Sequence, residues 1–81
     1  MNVRLQITAE FSRVAEEYDK PLAPLTDELN LLDSGLDSLC FAVVVVRLEE
    51  ILGVDPFSSS EDTLFPSTFG EFVRFYENAS L

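Results

Sequence analysis

Two serines in this chain directly follow an aspartate, Ser34 after Asp33 and Ser38 after Asp37, and each could in principle carry chemistry. Histidine is absent from all 81 residues, so neither serine nor the one cysteine, Cys40, has an imidazole to activate it. Ser-His-Asp and Cys-His catalysis are therefore excluded, together with zinc sites built from histidine or clustered thiolates. The acids around Asp33 and at Glu61-Asp62 lack the ligand spacing of an EF-hand loop. A lysine could serve a hydrolytic serine as base, but Lys20 is the only one and falls in a loop, which sets hydrolysis at Ser38 aside. Cys40 has no histidine or lysine beside it in sequence and is expected to be a buried, inert thiol. Intrinsic enzymatic chemistry is left with few parts to work with beyond a serine hydroxyl.

The elements that would hold that hydroxyl are helical. Ile7, Phe11, Val14 and Tyr18 fall at i, i+4, i+7 and i+11, one stripe of an amphipathic helix over most of residues 2–18, with Glu10, Arg13, Glu16 and Glu17 on its other faces. Pro21 and Pro24 forbid its extension. Residues 19–36 then form a connection long enough to be functional, which Leu22, Leu25, Leu29, Leu31 and Leu32 should pin to the core, with one helical turn near Thr26 to Leu29.

A second helix is expected from Ser38 to Leu52, with Gly53 as its C-terminal cap and Phe41, Val44, Val45, Leu48 and Leu52 as the inward stripe. Four consecutive valines could equally make a buried strand. The apolar spacing continues through Arg47-Leu48-Glu49-Glu50-Ile51-Leu52, which favours helix. Ser58-Ser59-Ser60 before Glu61-Asp62 marks a short helix that Pro66 ends. Thr68-Phe69-Gly70-Glu71 opens a last helix as a capping box and buries Phe69, Phe72, Val73 and Tyr76. The expected fold is all-α: three main helices and one short one in a single domain over residues 1–81, with a long loop between the first and second helices.

Composition narrows the setting. Fifteen acidic against five basic residues give a net charge of −10, which repels nucleic acid and anionic membrane and favours basic protein patches, although acidity alone also keeps a small protein in solution. The longest apolar run, Leu39 to Val46, is eight residues, far short of the roughly 20 that span a bilayer. No signal peptide is evident, and a single cysteine fits a reducing compartment, so the expectation is a monomeric cytoplasmic protein without membrane insertion.

On position alone, Ser38 or Asp37 is most simply the cap of the second helix. A helix start is also a place where free N–H groups and the positive end of the dipole favour a phosphate. Here Leu31-Leu32-Asp33-Ser34-Gly35-Leu36-Asp37-Ser38-Leu39 resembles the Asp-Ser-Leu attachment signature of acyl and peptidyl carrier proteins, and the order of helices resembles theirs over nearly the whole chain. The resemblance implies that Ser38 carries 4′-phosphopantetheine, transferred from coenzyme A by a Mg²⁺-dependent phosphopantetheinyl transferase. The arm's thiol would hold an acyl or aminoacyl group as a thioester for acyl-transferring, ligase or synthase enzymes, and the carrier itself would catalyse nothing.

Family members dock to basic patches through acids on and near the second helix, which implies recognition roles for Asp37, Glu49 and Glu50, beside Leu39. Glu49 and Glu50 read equally as a solvated helix face. Fatty-acid-synthesis carriers commonly place acids two and five positions after the modified serine, where this chain has Cys40 and Val43. With Val46 and Arg47 these residues should make the outward face of the helix apolar and locally basic, a candidate partner surface. A carrier in a specialised lipid or secondary-metabolite pathway fits that departure. The alternative is an unmodified acidic helical adaptor for a basic partner. Phe11, Phe41, Phe69, Phe72 and Phe75 could line a cavity for an acyl chain, although aromatics at helical spacing are more often plain core.

Overall fold

The computed structural model describes residues 2–54, 56 and 66–79. Within them the chain forms three helices, α1 (Val3–Glu17), α2 (Ser38–Leu52) and α3 (Phe69–Ala79), and a 3-10 turn at Leu31–Asp33 between α1 and α2. The all-α expectation holds, and the valine run is helical because it sits inside a continuous apolar pattern packed against α1. The short helix expected over residues 58–65 lies outside the described residues.

The start of each helix and the end of α2 have identifiable hydrogen-bond partners. The Asn2 side chain accepts the Leu5 N–H at 3.1 Å and opens α1. Gly53 closes α2 in the left-handed conformation, φ 72°, donating its N–H to the Glu49 carbonyl at 2.8 Å. Thr68 Oγ1 accepts the Glu71 N–H at 3.2 Å, while the Glu71 carboxylate accepts the N–H of Ser67 at 3.0 Å, a capping box displaced by one residue at its outer bond. Two further first-turn N–H groups of α3 donate to the long loop: Phe69 to the Leu29 carbonyl at 2.9 Å and Gly70 to that of Asp27 at 3.1 Å. The loop thus completes the start of α3 instead of merely passing it.

Phe11 sits at the centre of the core, edge-on to Phe41, Phe69 and Phe72 with ring centroids 5.9, 5.3 and 5.4 Å away. Ile7 and Val14 of α1 and Phe69, Phe72, Val73 and Tyr76 of α3 are buried around it, as their spacing requires. Two details of the helical stripes differ from expectation. Tyr18 is 40% exposed, because α1 ends at Glu17 and leaves it in the turn beyond. On α2 the buried residues are Cys40, Val44 and Leu48, with Phe41, Val45 and Leu52 half-buried beside them, so the helix is rotated from the expected stripe and Cys40 takes a central place.

The loop leucines behave unequally. Leu31 and Leu36 are buried, and Leu22, Leu25 and Leu29 pack against the core, but Leu32 is 88% exposed. Leu31 and Leu32 are neighbours in the 3-10 turn, whose geometry sends one inward and the other out. The turn expected near Thr26 to Leu29 is a single hydrogen-bonded one, Leu29 N–H to the Thr26 carbonyl at 3.1 Å, and the 3-10 turn follows it.

Glu10, placed by its spacing on an outer face, is 2% exposed. Burial of a carboxylate demands cations, and Arg13 supplies one at 2.8 Å while Arg47 of α2 lies 3.9 Å away. The same Arg47 guanidinium binds Glu17 through two nitrogens, one of the bonds 2.9 Å long, and so ties α1 to α2. This hydrogen bond holds the Glu17 carboxyl below its ordinary value. A group whose folded pKa is depressed stabilises the fold above its unfolded pKa, and that contribution disappears as pH falls through the folded value. Melting curves of wild type and Arg47→Gln should therefore be separated above the ordinary glutamate range and draw together as pH falls below it. A separation that stays constant with pH would mean that Arg47 acts by packing alone.

Candidate attachment site

Asp37, not Ser38, caps α2. Its backbone is extended (φ −92°, ψ −179°) and its side chain accepts the Cys40 N–H at 2.9 Å. The hydrogen bond from this N–H, foremost, holds the Asp37 carboxyl below its usual range, assisted by Lys20, whose Nζ lies 3.3 Å away. Ser38 is then the first helical residue, exposed, and no described residue holds its hydroxyl in a hydrogen bond. The division of labour matters chemically: the aspartate does the capping, which frees the serine oxygen.

Ser34 has the opposite environment. It is fully buried, its hydroxyl donates to the Leu31 carbonyl at 2.7 Å, and it accepts the Leu36 N–H at 3.4 Å. It braces the 3-10 turn against the approach to α2. Of the two serines, only Ser38 is exposed to solvent.

Beside Ser38 lies a cleft of about 830 Å³ lined by Leu31, Leu32 and Leu36 from the loop, by Phe41, Ala42, Val45 and Val46 from α2, and by Pro66 and Ser67 ahead of α3. The five phenylalanines follow the plain-core reading more than the cavity reading. Phe41 alone of that set lines the cleft, while Phe11, Phe69 and Phe72 pack on one another in the core and Phe75 is half-buried on α3.

The outward face of α2 also needs correction. Leu39 and Val46 are 60% and 55% exposed, and Asp37, Glu49 and Glu50 are exposed with them. Val43 is not on that face: it is half-buried and packs against the core. Arg47 is not there either, because its guanidinium is engaged with Glu17 and Glu10 of α1. Cys40 is not on that face either: it is buried at 0% exposure, which agrees with an inert thiol and not with an outward position, and that burial foremost pushes the thiol up. The surface around Ser38 is apolar and acidic, without the basic character expected from Arg47. Sequence reasoning missed Lys20 as the partner of Asp37; the two are far apart in the chain, and only the closed loop brings them together.

An exposed, unengaged hydroxyl at the first residue of a long helix, with an open apolar cleft beside it, fits a covalently attached phosphodiester arm. A model of the family described as the phosphopantetheine attachment site matches residues 6–61, more than half of the chain, which therefore belongs to that family of acyl and peptidyl carrier proteins. Such domains bear covalent 4′-phosphopantetheine, are carriers and not enzymes, and interact with a phosphopantetheinyl transferase and with the enzymes that use the carried group. No curated protein and no solved structure matches the chain. No described helix is long and apolar enough to cross a membrane.

Proposed function

We propose that Ser38 is the attachment residue and that residues 1–81 work as one monomeric cytoplasmic carrier unit, presenting an acyl or aminoacyl group to a dedicated set of enzymes in a specialised lipid or secondary-metabolite pathway. The observation that carries this reading is the contrast between the exposed Ser38 hydroxyl and the buried, hydrogen-bonded Ser34. When bound, the group supplies a terminal thiol that holds its cargo as a thioester.

The residues of the chain supply position and recognition. Asp37 fixes the start of α2 and Lys20 holds the Asp37 carboxylate, so the serine stands on a rigid element at a defined point. Tethering there raises the effective concentration of cargo for every enzyme that docks. Leu39 and Val46 offer apolar contact, and Asp37, Glu49 and Glu50 offer charge to acyl-transferring, ligase or synthase enzymes with basic docking patches. The specialised pathway is favoured because Cys40 and Val43, turned into the core, leave no carboxylate in the first turns of α2.

Intact mass spectrometry of the protein taken from its native cells tests this directly. The expected mass is that of the chain plus one arm, in part with an acyl or aminoacyl addition that hydroxylamine removes. Only the bare mass, in cells whose transferase is active, would overturn the reading.

A further inference from the structure

Leu32 is the most exposed large apolar residue described, at 88%, in a chain whose size leaves few apolar residues to spare. A lone exposed leucine is ordinary. This one is held by a fully braced turn. Its N–H donates to Asn30 Oδ1 at 2.9 Å, Asp33 N–H donates to the Asn30 carbonyl at 2.8 Å, Ser34 closes on Leu31 from both its N–H and its hydroxyl, and Leu31 is anchored in the core. A partner that covers Leu32 has almost no backbone entropy to remove. Leu32 also lines the cleft that contains Ser38, and Val46, 55% exposed, lines it from α2.

Charge flanks both walls. Asp33 is exposed beside Leu32, and Glu49 and Glu50 follow Val46 by three and four residues, one turn along the same side of α2. The acid nearest the serine, Asp37, already has Lys20 beside it. Exposed carboxylates thus follow each of the two apolar wall residues in the chain, Asp33 directly after Leu32 on the loop and Glu49 and Glu50 one turn after Val46 on α2, in a protein of net charge −10.

We propose that Leu32 is a specificity-determining contact for the phosphopantetheinyl transferase, which must approach Ser38 in the same cleft, seats an apolar side chain between Leu32 and Val46, and sets basic groups against Asp33 on the loop and Glu49 and Glu50 on α2. The inference rests on the reading of Ser38 as the modified residue. It places part of the recognition surface on the loop, away from α2.

The test uses the full unmodified chain, coenzyme A, Mg²⁺ and a broad-specificity transferase, with initial rates followed by intact mass. Leu32→Ser and Val46→Ser are compared with Leu5→Ser, a control at a 65% exposed leucine on α1. KM for the carrier should rise about tenfold in the first two, the loss of one buried apolar contact, with kcat within about twofold of wild type and melting curves of Leu32→Ser and wild type superimposed. The control should match wild type. Transfer by Leu32→Ser indistinguishable from Leu5→Ser would overturn the inference. So would a wild-type dimer in light scattering that Leu32→Ser dissolves, since the cleft would then belong to a second copy. If wild type is never modified, it is the attachment reading that fails; if it is modified at Ser38 and Leu32→Ser behaves as the control, only the Leu32 contact is lost.

Discussion

Gly35→Ala should destabilise the domain by about 3 kcal/mol or more, as large a loss as a single surface methyl group can produce. Gly35 holds φ 99°, a region that side chains rarely adopt, and a Cβ there would stand 1.7 Å from the Pro21 carbonyl oxygen and 2.9 Å from its carbon. That neighbour is backbone, so it cannot swing aside as a long side chain would. The two strands of the loop are also joined next to this point, Ala23 N–H to the Ser34 carbonyl at 2.9 Å, and separating them would break that bond and draw Lys20 from Asp37. Gly53→Ala provides the comparison: φ is 72°, but nothing lies within 4 Å of the added atom, so only the left-handed backbone opposes it, at about 1 kcal/mol. Denaturant unfolding of both variants measures the difference. A Gly35→Ala protein as stable as Gly53→Ala would show that the loop opens at little cost and does not fix the start of α2.

Much of this architecture is legible in the chain. Proline and glycine punctuation, together with apolar spacing, locates α1, α2 and the start of α3 to within a residue or two, because helix boundaries depend on local backbone chemistry. The rotation of α2 about its axis is not legible. Cys40, Val43 and Val45 are all apolar, so the run from Leu39 to Val46 offers several stripes of nearly equal merit, and packing against Phe11 selects among them. Glu10 and Arg47 were misplaced for a related reason: a charged residue reads as solvent-facing, yet a buried acid with arginines from two helices is stable, and neither helix alone reveals the pairing. Leu32 reads as a core anchor like Leu31, because a 3-10 turn in a loop has no periodicity to betray which of two adjacent leucines points inward. At the site itself, Asp37 and Ser38 were equivalent as caps until the geometry gave the bond to Asp37.

That assignment produces the second large effect, an all-or-none one. Ser38→Ala should abolish attachment while leaving stability nearly unchanged, since the cap that holds α2 is the Asp37 side chain. Ser34→Ala should do the reverse. It loses the 2.7 Å bond to the Leu31 carbonyl inside the fold, at about 1–2 kcal/mol, and retains the Ser38 hydroxyl proposed as the attachment point. The pair of variants separates a structural serine from a chemical one in two neighbouring copies of the same dipeptide.

The most direct measurement is intact mass after incubating wild type, Ser34→Ala and Ser38→Ala with coenzyme A, Mg²⁺ and an active broad-specificity transferase. Wild type and Ser34→Ala should each gain the mass of one phosphopantetheine, and Ser38→Ala should gain none. A bare wild type beside a control carrier that is fully converted, or the same gain in Ser38→Ala, would contradict the assignment of the exposed serine at the head of α2 as the point of attachment.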